Sequence, residues 1–128
     1  MLTEEVLVQK FITVAKGRCP KLGELLQYCH VEIVNFYWGY PPKLFQHFAV
    51  YSPNVLFVLV NAYKDILKGV AIDLGISDAL CMNATRIIRD PASRLKEKNP
   101  SLWLELQWVA VPTKKDYGPL DRDLPYSD

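Results

Sequence analysis

Aromatic side chains are concentrated in one short part of this chain, and any fold must find room for them. Seven of the fifteen aromatic residues fall within the sixteen positions 36–51. Large rings are mostly buried in proteins, and they also dominate binding hot spots. Two interpretations therefore stay open. The rings form a core between a strand and two flanking helices, or they form a partner-binding surface whose prolines hold its rim rigid. The residues of that surface are Tyr37, Trp38, Tyr40, Pro41 and Pro42.

Length and charge restrict the class of protein. The chain has 128 residues, 50% of them apolar, and a formal net charge of +1. We expect one compact domain over residues 1–112, large enough to need no disulfide or metal, and a flexible or docking tail over residues 113–128. The near-neutral charge argues against a protein that coats nucleic acid or an anionic membrane, because both activities use a large basic excess.

The cysteines and the apolar runs indicate a compartment. Three cysteines are an odd number, and the first residues lack the basic segment and long apolar run of a secretory leader. The longest apolar run, 55–60, is far shorter than the roughly 20 residues that a membrane-spanning helix needs. We therefore expect a cytoplasmic protein without a membrane partner.

Local signals predict most of the helices. Thr3 is a typical cap for a first helix that ends at Gly17, and Pro20 suits the first turn of a short second helix. A further short helix is expected after Pro42 and no further than Ser52. Residues 53–69 fit either one long buried helix, which we favour, or a strand over 55–60 followed by a helix.

Alternation of apolar residues predicts the strands. Residues 30–38 and 102–111 both alternate in this way, and residues 55–60 are an optional third strand between them. The predicted fold class is α+β and predominantly helical, with about five to six helices and a small two- or three-stranded sheet.

Residues 70–89 carry a second pattern. Ala71 stands four residues before Gly75, and Ser77 can open a following helix that ends near residue 90. This pattern resembles the helix-turn-helix family of DNA-binding proteins, in which the second helix enters the major groove. The resemblance implies a set of DNA-contacting residues, namely Asn83, Thr85, Arg86 and Arg89, with Asp78 beside them.

Catalytic and metal-binding patterns are not evident in the sequence. Cys29 and His30 adjoin, but neighbouring residues on a strand point to opposite faces, which disfavours a shared proton. The cysteines and histidines lack the paired spacing of metal ligands. We expect no cofactor, no metal and, on balance, no enzymatic activity.

These observations favour a small non-catalytic interaction or regulatory module. It would bind a protein partner, or a second copy in a homodimer, through the aromatic surface. The alternatives are a DNA-binding regulator that uses residues 70–89, and a binder of an apolar small molecule in a pocket lined by the same aromatic residues.

Overall fold

The computed structural model describes residues 3–110, and the fold over this range is α+β and predominantly helical, as the sequence predicts. Seven helices and a three-stranded sheet lie in this range. The elements in chain order are α1 (Glu4–Arg18), α2 (Pro20–Leu26), β1 (His30–Trp38), β2 (Lys43–Ser52), α3 (Asn54–Asn61), α4 (Lys64–Asp73), β3 (Asp78–Asn83), α5 (Ala84–Arg89), α6 (Leu95–Lys98) and α7 (Pro100–Ala110).

The first two helices form where the sequence predicts them. The Val6 amide donates a hydrogen bond of 3.2 Å to the Thr3 hydroxyl, so Thr3 caps α1. Pro20 occupies the first turn of α2, where its missing amide hydrogen costs nothing. The two helices pack closely at Gly23, since a Cβ atom there would lie 2.5 Å from Lys16 Cγ.

The sheet has the strand order β1-β2-β3. Strands β1 and β2 are antiparallel, from the pair His30 and Tyr51 to the pair Trp38 and Lys43. Strands β2 and β3 are parallel, and α3 and α4 form the crossover that such a pair requires. Strand β1 therefore lies at one edge of the sheet and β3 at the other.

Helices cover the two faces of the sheet unequally. The face that carries Ile33 and Phe48 packs against α1 to α4 in the main core, where Phe11 stacks on Phe48 at 4.1 Å between ring centroids. The opposite face carries Ala49 and Tyr51 and packs against α7 in a smaller cluster. The hairpin end of β1 and β2 extends beyond both helical layers.

Three predicted segments have a different structure. The segment after Pro42 is strand β2 and not a short helix, because pairing along the whole of β1 outweighs the local helix-start signal of the prolines. Residues 53–69 are neither one helix nor a strand plus helix, because the chain turns at residues 62–63 between α3 and α4. The helix predicted from Ser77 is wrong in its first half, where β3 pairs with β2.

The strand predicted over residues 102–111 is also wrong, because α7 occupies Pro100–Ala110. Leu102 and Leu106 are buried and Leu104 is exposed. Positions i and i+4 lie on the same face in a strand and in a helix, so this apolar pattern fits both periods. The tail predicted over residues 113–128 lies outside the described residues.

Candidate functional site

Three strongly exposed aromatic residues lie at the end of the β1–β2 hairpin. Tyr37 is 71% exposed, Trp38 73% and Tyr40 102%. Pro41 and Pro42 beside them are also exposed. The structure thus brings together all five residues that the sequence predicts for a partner-binding surface. We call Tyr37, Trp38, Tyr40, Pro41 and Pro42 the hairpin surface.

The backbone of the hairpin end is tightly restricted. Gly39 has φ of +97°, a conformation that glycine adopts without steric cost. Pro41 and Pro42 have φ fixed by their rings, and the Tyr40–Pro41 peptide bond is cis. The two proline rings therefore restrict the backbone directly beside the exposed Tyr40.

The base of the hairpin surface is held by contacts across the two strands. Phe36 stacks on Phe45 with 5.5 Å between centroids, and it lies 5.8 Å from the His47 ring. On the opposite face of the sheet, the Gln46 amide donates a 2.8 Å hydrogen bond to Asn35, and the Asn35 amide donates one of 2.8 Å to Glu4 of α1. These contacts connect the exposed end of the hairpin to the core.

The remaining members of the aromatic cluster are less exposed, and two of them are in the interior. Phe48 and Tyr51 are buried, Phe45 is half-buried, and Phe36 is 45% exposed. The cluster therefore divides along the hairpin. Its part near the helices is core, as the first interpretation predicts, and its part near residue 40 is surface, as the second predicts.

A cleft lies beside the base of the hairpin. It has a volume of about 370 Å³, opens to solvent, and is lined by Phe36, Phe45, His47, Asp78 and Leu80, with Gln46 and Ser77. Of the aromatic cluster, only Phe36 and Phe45 line it. The alternative of an apolar small-molecule binder stays a prediction, and Tyr37, Trp38 and Tyr40 do not form the walls of this cleft.

The helix-turn-helix interpretation of residues 70–89 is wrong, because β3 follows the turn at Gly75 where the motif requires a helix. The residues that the resemblance implied have other roles. Asn83 accepts a 3.1 Å hydrogen bond from the Arg86 amide and caps α5. Thr85 is buried, and its hydroxyl accepts a 2.9 Å hydrogen bond from the backbone amide of Asn54. Arg86 and Arg89 are exposed on a six-residue helix.

A polar cluster on the α7 side of the sheet surrounds His30. Its Nε2 lies 3.5 Å from Glu32 Oε2, and its Nδ1 lies 3.9 Å from Glu105 Oε2 of α7. The Tyr51 hydroxyl donates a 3.5 Å hydrogen bond to Glu32. Burial, with the nearby Glu32 charge as a second cause, raises the pKa of Tyr51 to about 12. The sequence could not predict this grouping, because Tyr51 and Glu105 come from distant segments.

Cys29 does not join the His30 cluster. Its thiol donates a 3.4 Å hydrogen bond to the Leu25 carbonyl, on the other side of the chain from His30. Burial, with a smaller contribution from Cys81, raises the pKa of Cys29 to about 12. A thiol with such a pKa is a poor nucleophile at neutral pH. Within residues 3–110, no group of three His, Cys, Asp or Glu side chains is placed to hold a metal ion.

Comparison with known protein families, curated proteins and solved structures gives no match to this chain. In the part of the chain that the structure describes, no helix combines the length and apolar character needed to cross a membrane.

Proposed function

We propose that this chain is a small non-catalytic interaction module of the cytoplasm that binds a protein partner through the hairpin surface. The observation that carries the proposal is the exposure of Tyr37, Trp38 and Tyr40 on one restricted hairpin end. Aromatic residues of this kind supply most of the binding energy in protein interfaces.

The exposed area has the size of a functional patch. The exposed fractions of Tyr37, Trp38 and Tyr40 together correspond to about two and a half whole side chains. At roughly 150–250 Å² for each ring, this is about 370–620 Å² of mainly aromatic surface. The largest apolar patch of a typical monomer is about 300–600 Å² and is often its functional site.

The restricted backbone favours binding as well. Association costs the entropy of every group that becomes ordered, and a surface that is already fixed loses less. Pro41 and Pro42 limit the backbone here, and the stacked Phe36 and Phe45 rings fix the base. The remaining cost is the side-chain freedom of three rings, which have only two torsions each.

The three thiols support the cytoplasmic part of the proposal. Cys19, Cys29 and Cys81 are all unpaired. Free thiols persist in reducing compartments, whereas extracellular domains of this size tend to pair them.

Site-specific photocrosslinking tests the proposal. A photoreactive phenylalanine analogue replaces Tyr40 in one sample and Trp108 in a matched control, and both are irradiated in cells that express the chain. Trp108 is a suitable control because it is 81% exposed on α7, away from the hairpin. We expect one dominant adduct of discrete mass from position 40, lost in a Trp38→Ala background, and none from position 108. No adduct from position 40, or the same adducts from both positions, would contradict the proposal.

A further inference from the structure

We infer that the partner of the hairpin surface is a second copy of this chain, joined by antiparallel pairing of the two β1 strands. The inference rests on the proposed function, because it uses the same end of the molecule. It adds the identity of the partner and the geometry of the contact.

Within the described residues, strand β1 has a free edge. It pairs only with β2 in the sheet order, and within residues 3–110 no further backbone hydrogen bond reaches it from another element. Its outward amide and carbonyl groups are therefore unpaired in this range, and residues 35–38 are also exposed. An unpaired edge of this kind is a template for another strand.

The exposed half of this edge lacks the features that prevent pairing. Natural edge strands are protected by charged side chains, by proline or by shortening. Residues 33–42 contain no charged side chain, and β1 contains no proline. Residues 35–38 are all exposed, so neither α1 nor α7 covers them. The other edge, β3, is shorter, with six residues, and begins with the charged Asp78.

The chemistry of the edge fits a second copy. An uncharged strand offers nothing to a strongly acidic or basic partner, whereas two identical uncharged edges meet without repulsion. The exposed fractions of Phe36, Tyr37 and Trp38, the rings on the edge strand itself, correspond to about two whole rings. At roughly 150–250 Å² each, two copies offer about 600–1,000 Å². This is the size of a weak or transient interface, below the roughly 1,200–2,000 Å² of stable ones, and it fits a monomer–dimer equilibrium.

Charge disfavours one register, and the exposure of residues 35–38 favours another. A two-fold axis at Glu32 would place two carboxylates opposite each other, which is unfavourable. An axis at Phe36 places Tyr37 opposite Asn35 of the second copy and Trp38 opposite its Val34. Pairing then extends over residues 34–38 of both copies, of which 35–38 are exposed, and the two sheets join into one of six strands.

Sedimentation velocity of the purified full chain over a wide concentration range tests the inference. We expect a monomer–dimer equilibrium. Tyr37→Lys places one lysine on each side of the two-fold axis at Phe36, diagonally across the contact, and should weaken dimerisation by more than about tenfold. Val58→Lys is the matched control, because Val58 is 76% exposed on α3 and the change also introduces one lysine. It should leave the dimer unchanged, and circular dichroism should show both variants folded.

Intermolecular NOEs between isotope-labelled and unlabelled copies give the geometry, with contacts expected among residues 34–38. A monomer at every concentration, equal dimers for both lysine variants, or NOEs at another surface would overturn the inference. If the purified chain is a monomer and photocrosslinking from position 40 in cells still captures a different protein, this inference is overturned and the proposed function stays intact. A monomer without any adduct overturns both.

Discussion

Replacing Leu106 by Ala tests the packing of α7 on the sheet, the element whose type the sequence predicts wrongly. Leu106 is fully buried against the face of the sheet that carries Ala49 and Tyr51. The change removes three carbon atoms, worth about 2.4 kcal/mol at roughly 0.8 kcal/mol each. A residual cavity of roughly 50 Å³ adds about 1.2 kcal/mol at about 24 cal/mol per Å³. We expect the free energy of unfolding to fall by about 3.5 kcal/mol.

Leu104→Ala is the matched control, since it deletes the same atoms two residues earlier. Leu104 is 56% exposed, so less than half of the transfer free energy applies and no closed cavity forms. The expected loss is below about 1 kcal/mol. In a strand, Leu104 and Leu106 would lie on the same face and the two losses would be similar.

Urea unfolding followed by tryptophan fluorescence measures both losses. With a slope of about 1–3 kcal/mol per molar urea, Leu106→Ala should lower the midpoint by about 1–3.5 M. Leu104→Ala should lower it by less than a third of the shift that Leu106→Ala produces. Equal shifts in the two variants, with unchanged slopes, would refute the helical packing of α7 and the reasoning built on it.

Three further predictions follow from the core and its titratable groups. Gly17→Ala should raise the free energy of unfolding by about 0.5 kcal/mol, because nothing lies near its added methyl group. Gly23→Ala should lower the free energy of unfolding by about 1–3 kcal/mol, because the added methyl group would clash with Lys16. Urea unfolding measures both changes. Cys29, with its pKa of about 12, should react with iodoacetamide at pH 8 more than about tenfold faster in urea than in the folded protein, measured by mass spectrometry. Folding raises the pKa of Tyr51 to about 12, so its contribution to the free energy of unfolding is complete below pH 10 and is lost as the pH rises towards 12. Tyr51→Phe should therefore flatten the dependence of the free energy of unfolding on pH between about 10 and 12.

Local signals were enough for the elements that depend on their own residues. Thr3 and Pro20 mark helix starts that neighbouring segments do not alter, and β1 has the composition of a strand. Strands β2 and β3 depend on each other and on β1, so their hydrogen-bond partners are distant in sequence. The pattern of two prolines at 41–42 is typical of a helix start and equally of a turn, and only the pairing of β1 with β2 decides between them.

The candidate site shows the same division between local and distant information. Residue type alone identified Tyr37, Trp38 and Tyr40 as suited to binding. Their exposure depends on how far the hairpin extends past the helices that cover the sheet, and this follows from the tertiary structure. The Glu4 contact with Asn35 and the Glu105 contact with His30 mark how far α1 and α7 reach along β1. Beyond Asn35 no helix of residues 3–110 covers the strand.

The hairpin has one advantage as a docking site over Trp108, the exposed aromatic residue of α7. Trp108 and Leu104 lie one turn apart on the outer side of α7, where the backbone groups are already bonded within the helix, so a partner there meets only side chains. At the hairpin, a partner meets rings on a restricted support and also the unpaired backbone of the β1 edge. Backbone pairing gives affinity and the rings give specificity when a strand is added to a sheet. A substitution at Tyr37 therefore affects both the backbone pairing and the ring contacts of the hairpin. A substitution at Trp108 affects neither of them.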